Sequence, residues 1–223
     1  MNKNHQVPFG PDSFAMNPED RCACILLLDT SGSMNGRPIN QLNQALIAFR
    51  NELILDPLAA KRVETCIISF GPVKIETDFQ TVANFNPPML AAAGDTPLGA
   101  AVKVAISKAK ERKEVYKANG ITYYRPWIFL ITDSKPTDDW KDAARRIHEG
   151  ASANSYTFYA IGVQGADMDI LKQISPTPPL MLEGLRFREF FIWLSASLSL
   201  AAKSKPGNDI DLPPTSSWAK VDI

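Results

Sequence analysis

Short unbroken apolar runs and longer periodic stretches take turns along the chain. The run Cys22 to Leu28 lacks strict alternation and stops at Asp29, the pattern of a strand buried on both faces. After a Ser/Gly loop, Pro38 suits the first turn of a helix, and Ile39, Leu42, Leu46, Phe49 and Leu53 recur at helical spacing until Asp56-Pro57 ends it. Val63 to Phe70 is β-branched and apolar, and Gly71-Pro72 separates it from a hairpin partner, Val73 to Asp78, at the sheet edge. A proline-marked loop around Asn86-Pro87-Pro88 leads to Gly94-Asp95-Thr96-Pro97, after which Ala100 to Ala118 reads as a helix. Trp127 to Thr132 repeats the first layout, with a buried strand stopped by Asp133, a polar loop, and a helix from about Asp139 to His148. Tyr156 to Val163 supplies another strand, Asp167 to Ile174 a short helix, Leu180 to Leu182 an edge strand, and Arg186 to Ala202 the last helix.

This alternation predicts a three-layer α/β fold: a mostly parallel central sheet with one antiparallel edge strand, and helices on both faces joined by right-handed crossovers. The chain divides into an N-terminal segment (1–18), one domain (19–203) and a C-terminal tail (204–223) rich in Lys, Pro, Gly, Asn and Asp. Two readings of the tail stand side by side: disorder, or anchoring through the lone Trp218.

Composition narrows the class without naming a function. At 223 residues the chain can bury the core of a single α/β domain, and 45% apolar with 22% charged residues excludes wholesale disorder. The 24 basic and 24 acidic side chains cancel, which argues against a broad footprint for nucleic acid or an anionic membrane. Met1 to Asn17 lacks the apolar run of a secretory signal, and Phe190 to Ala202 is too short to span a bilayer. Three cysteines cannot all pair internally, and Cys22 and Cys24 share a strand whose geometry opposes a bridge, so a cytoplasmic location is expected.

The candidate chemistry lies at strand ends. In an open α/β sheet, ligands bind beyond the carboxyl ends of the strands, where connections diverge. If the Cys22 and Trp127 strands are neighbours there, Asp29 and Asp133 face each other over one crevice, with Thr96 arriving from the loop before its helix. With the hydroxyls of Ser31 and Ser33 these are all oxygen donors, the set preferred by a hard cation: Mg²⁺ first, Mn²⁺ or Ca²⁺ as alternatives. The D-x-S-x-S spacing matters because alternate residues of an extended turn project to one side, while Gly32 lets the loop bend. Because several ligands are neutral, the ion keeps net positive charge and an open position, which an acidic side chain from a partner protein can fill.

DTSGSM at Asp29 to Met34, Thr96 in GDTPLG, and Asp133 in LITDSKPTDDW resemble the metal-ion-dependent adhesion site of von Willebrand factor A domains. The helix after Pro38, the Phe85 to Leu90 loop, TDDW at Thr137 to Trp140 and the PP-plus-Trp tail resemble the bacterial TerY/YegL branch of that family. The resemblance covers nearly the whole chain and implies the Rossmann-like fold of those domains. It implies that Ser31, Ser33 and Thr96 ligate the metal directly, while Asp29 and Asp133 act directly or through water. The sequence departs from the family at Ser134, where glycine is common. The TerY group further implies an adaptor role in tellurite-resistance and stress-response loci, beside a Ser/Thr kinase and a PP2C-type phosphatase.

Other readings compete at each point. Alone, Asp-Thr-Ser-Gly-Ser is also a turn and helix cap. Asp138 and Asp139 read as cap and first-turn acids of the helix that follows them, Trp140 as packing, and His148 as structural. Lys103, Lys108, Lys110, Arg112 and Lys113 look like one solvated helix face. A metal-dependent phosphohydrolase of the haloacid-dehalogenase kind needs a second Asp two residues after the first, where this chain has Ser31. An aspartic protease needs two such loops in a β-rich fold. A scaffold with a vestigial metal site is the remaining alternative.

Overall fold

A computed structural model describes residues 14, 16–208 and 210–221. The polar N-terminal stretch read for a secretory signal, including His5, falls almost wholly outside them. Seven strands form one sheet in the order β3-β2-β1-β4-β5-β6-β7. They are β1 (Cys22–Asp29), β2 (Val63–Phe70), β3 (Lys74–Thr81), β4 (Trp127–Thr132), β5 (Thr157–Gly162), β6 (Leu180–Leu182) and β7 (Ala219–Val221). The helices are α1 (Arg37–Ile54), α2 (Pro57–Arg62), α3 (Leu98–Ala118), α4 (Lys141–Ser152), α5 (Met168–Ile174) and α6 (Phe187–Lys203), with a 3₁₀ turn at Gly32–Met34.

Side-chain alternation along the buried strands sorts the core into two layers. Cys22, Cys24, Leu26 and Leu28 of β1 join Trp127, Phe129 and Ile131 of β4 against α1 and α6, while Ala23, Ile25 and Leu27 join Ile128 and Leu130 against α3 and α4. Both faces are covered, which is why these strands read as continuous apolar runs. All three cysteines are buried and free, and burial pushes the Cys22 and Cys66 thiols up to about 12, so they behave as small core hydrophobes.

Three expectations change. Asp56-Pro57 ends α1 and also starts the short helix α2: the Asp56 carboxylate accepts from Leu58 N (3.1 Å) and Ala59 N (3.2 Å), with Pro57 in the first turn. The single antiparallel edge strand, β3, is joined by a second at the opposite edge, where β7 pairs antiparallel with β6. The stretch read as a tail from 204 thus returns to the sheet, and Trp218, fully buried against Phe190 and Trp193 at ring-centroid distances of 5.0 and 5.2 Å, is its anchor. Finally, Arg112 does not belong to a solvated face. It is buried, paired with Glu64 at 2.7 Å, and Glu64 also receives Arg21 at 3.2 Å. Of the other basic side chains on that helix, Lys103 and Lys108 reach Asp142 and Asp78.

Candidate metal centre

The chain leaves β1 toward β2 on one side and reaches β4 on the other, so the ends of β1 and β4 flank a topological switch point. Their parallel register pairs Leu28 with Ile131, which sets Asp29 beside Thr132 and Asp133 just beyond. The Asp29 carboxylate is buried and held on both oxygens: Ser31 N donates to Oδ1 at 2.8 Å and Thr132 Oγ1 donates to Oδ2 at 2.5 Å. Burial raises the Asp29 carboxyl above its usual range and the nearby Asp133 adds to this, while the hydrogen bonds from Ser31 and Thr132 oppose it.

The D-x-S-x-S spacing works differently from an extended turn. Ser31 is still extended (φ −63°, ψ 169°), but Ser33 lies in the 3₁₀ turn, which folds its hydroxyl back toward the crevice. Ser31 Oγ and Ser33 Oγ are 2.9 Å apart, and Ser33 Oγ donates to Asp133 Oδ1 at 2.7 Å. The structure therefore brings Asp29, Ser31, Ser33 and Asp133 into one connected cluster, with Ser33 exposed at its mouth.

Thr96 reaches this region on a braced loop. Ala93 N donates to Thr30 O (2.7 Å) and Gly32 N to Gly94 O (3.0 Å), tying the loop before Thr96 to the one after β1. Gly94 has φ +74°, and a Cβ there would lie 1.9 Å from Gly71 O, so only glycine lets the loops after β1, β2 and β3 converge. On its other side Thr96 N donates to Thr137 Oγ1 (3.1 Å) and Thr137 N to Thr96 O (2.9 Å), locking it to the loop after β4. The Thr96 residue is buried.

Asp138 is not the cap of the helix that follows it. It caps α3 from across the loops, accepting from Gly99 N (2.9 Å) and Ala100 N (2.8 Å), whereas Asp139 accepts from Lys141 N at the start of α4 (3.1 Å). Trp140 packs partly buried on the α3/α4 layer, and His148 Nε2 lies 3.1 Å from Gln173 O, both away from the cluster. Sequence reasoning missed Thr132, Thr137 and the cross-loop cap because each depends on register or loop contact. Thr-Asp at the end of β4, beside Asp-Thr at the end of β1, was the available signal.

The donor set fits a hard cation. Two carboxylates are linked through Ser31 and Ser33, and among the described residues neither Asp29 nor Asp133 forms an ion pair with Lys or Arg. Among those residues no group of three or more His, Cys, Asp or Glu gathers, so any ion held here would depend on the hydroxyls beside the two carboxylates. The 2.9 Å between Ser31 and Ser33 oxygens equals the edge, about 2.9 Å, of an octahedron whose arms are about 2.0–2.1 Å.

The von Willebrand factor type A domain model matches residues 24–189, well over half of the chain. Matrilin-3 from mouse is 27% identical over 160 residues, covering 69% of this chain and 32% of that protein, so the chain spans about a third of the curated relative it matches. Among solved structures, the pilus adhesin SpaC from Lactobacillus rhamnosus GG aligns with a TM-score of 0.64 at 12% identity, over 83% of this chain and 31% of that one. The vWF domain of the type V pili tip protein Mfa5 from Porphyromonas gingivalis aligns with a TM-score of 0.53 at 11% identity, over 86% of this chain and 99% of that one. At such identities the structural likeness is one of fold, but the family match spans both strand-end aspartates and the hydroxyls between them. The chain belongs to the von Willebrand factor type A domain family.

Proposed function

We propose that this protein is a non-catalytic interaction domain that binds an acidic side chain of a partner protein through a divalent cation, Mg²⁺ before Mn²⁺ or Ca²⁺, held by Asp29, Ser31, Ser33, Thr96 and Asp133. The observation that carries this reading is the pair of neighbouring strand-end carboxylates, Asp29 fully buried and Asp133 bonded to Ser33, which are linked through Ser31 and Ser33 and lack a side-chain cation among the described residues. Like charges at short range in a desolvated site are costly unless a cation joins them. The cation supplies Lewis acidity toward one more oxygen, and the protein's part is to fix the hydroxyls and keep the neutral ligands neutral. Ser33 at the exposed mouth gives the direction from which a partner carboxylate arrives.

The phosphohydrolase alternative lacks support at the position where it needs a second acid: Ser31 stands there, with its oxygen turned to Ser33. The finer setting is also part of the proposal. The TerY-like features point to tellurite-resistance and stress-response signalling, with a Ser/Thr kinase and a PP2C-type phosphatase as partners. Three buried free cysteines favour a reducing cytoplasm, and among the described residues no helix is long and apolar enough to cross a membrane.

The test is capture of partners by immobilised protein in Mg²⁺ and in EDTA, with Asp29→Ala in parallel. Partners that depend on both the ion and Asp29 are expected. An identical set retained in EDTA contradicts the metal bridge, and metal-dependent turnover of an aryl phosphate lost in Asp29→Asn replaces it with the phosphohydrolase.

A further inference from the structure

Asp133 Oδ1 is the focus of two hydroxyls. Ser33 Oγ lies 2.7 Å from it and Ser134 Oγ 2.8 Å, while the two hydroxyls are 2.6 Å from each other. Ser31 Oγ adds a further contact to Ser33 at 2.9 Å. The protons do not suffice for these contacts. Ser31, Ser33 and Ser134 carry one hydroxyl proton each, three in all, against four close oxygen–oxygen contacts: Ser31–Ser33, Ser33–Asp133, Ser33–Ser134 and Ser134–Asp133. One of the four contacts is therefore left without a hydroxyl proton. If Ser33 and Ser134 both donate to Asp133, the unfilled contact is the 2.6 Å approach of Ser33 to Ser134. Two hydroxyl oxygens then present lone pairs to the same space, on the open side of the cluster where Ser33 is exposed and Ser134 half-buried.

Such an arrangement is what a shared cation resolves. A neutral hydroxyl ligates through a lone pair and gives its proton to a neighbouring acceptor, and here Asp133 Oδ1 is the acceptor for both. Neighbouring ligands of a small octahedral ion sit about 2.9 Å apart, so Ser31, Ser33 and Ser134 are spaced close to that edge length from one to the next. We infer that the Ser134 hydroxyl is a direct ligand of the cation, adjacent to Ser33. This rests on the metal-centre reading above and extends it: a protein oxygen takes a position on the ion that water would otherwise fill. The ion is then held more by the domain itself and less by what the partner brings.

The experiment is a calorimetric titration of the whole chain with Mg²⁺ and with Mn²⁺, in wild type, Ser134→Gly, Ser134→Ala, Ser134→Thr and Asp29→Ala. Water-proton relaxation of each Mn²⁺ complex is measured alongside. Ser134→Gly and Ser134→Ala should each lose about tenfold in affinity, Ser134→Thr should retain most of it, and relaxation enhancement should rise in the glycine and alanine variants as water takes the vacated position. Wild-type affinity in Ser134→Ala overturns the inference. So does weaker binding with unchanged relaxation, which makes Ser134 a positioning residue for Asp133. If wild type binds neither ion, the metal-centre reading fails and takes this one with it. Asp29-dependent binding that is indifferent to Ser134 removes only this one.

Discussion

Truncating Trp218 to alanine should unfasten the C-terminal end of the chain and destabilise the domain measurably. The indole is fully buried against Phe190 and Trp193 and stands next to β7. Burying an aromatic side chain removes about 150–250 Å² from water, which at about 25 cal/mol/Å² contributes about 4–6 kcal/mol. Against this, the indole N–H is buried and has no hydrogen-bond partner among the described residues, and that desolvation costs about 1–3 kcal/mol, which the alanine variant recovers. The net loss is about 1–5 kcal/mol. It cannot exceed the free energy with which the segment docks, since the rest of the domain persists when the segment leaves. Other fastenings survive the substitution: Trp193 Nε1 donates to Pro213 O at 2.7 Å and Arg186 donates to Ser217 O at 2.8 Å. For a domain of this size each kcal/mol shifts Tm by about 2–4 °C, so a fall of about 2–20 °C is expected. Urea unfolding followed by far-UV circular dichroism gives the free energy directly, and Trp218→Phe should recover roughly half of the loss. A Trp218→Ala variant within about 0.5 kcal/mol of wild type refutes the packing of this segment.

Other residues make equally concrete expectations. Glu64→Gln leaves Arg21 and Arg112 buried beside a neutral amide, and chemical denaturation should show a loss of about 3–5 kcal/mol; a neutral outcome means the pair is hydrated. Asp138→Ala removes two charge-assisted bonds to the first turn of α3, costing about 1–2 kcal/mol in thermal unfolding. Because Thr96 lies just before that turn, Mg²⁺ affinity should fall as well. Unchanged affinity uncouples the cap from the site. Gly94→Ala places a Cβ against Gly71 O at a positive φ, and should abolish Mg²⁺ binding while the sheet still gives a folded circular dichroism spectrum.

Much of this architecture was legible because burial on both sheet faces writes itself as unbroken apolar runs. β4 falls where its run predicts, and β1 and β2 differ from theirs by no more than one residue. Helix ends were less legible, since caps reach across the fold: Asp138, three residues before α4 begins, serves α3 instead. The end of the chain carried too few apolar residues to predict a strand. Trp218 supplies the largest burial, Ala219, Ile210 and Leu212 add to it, and three ladder positions against β6 do the rest. At the candidate site, the residue types and their strand-end placement pointed to Asp29, Ser31, Ser33, Thr96 and Asp133, of which the structure joins Asp29, Ser31, Ser33 and Asp133 in one cluster. What no spacing rule contained was the parallel register that sets Thr132 against Asp29, and the loop convergence that brings Ser134 to Ser33.

The most direct test of the central claim is the calorimetric titration of metal-free protein with Mg²⁺, wild type against Asp29→Ala. One-site binding in wild type that Asp29→Ala abolishes is the predicted result. It should be matched by a thermal shift of about 5–10 °C at a hundredfold excess of Mg²⁺ over Kd, the equivalent of about 2.7 kcal/mol. Equal heats and equal melting in the two proteins would contradict the claim, leaving the two neighbouring carboxylates without a cation to join them.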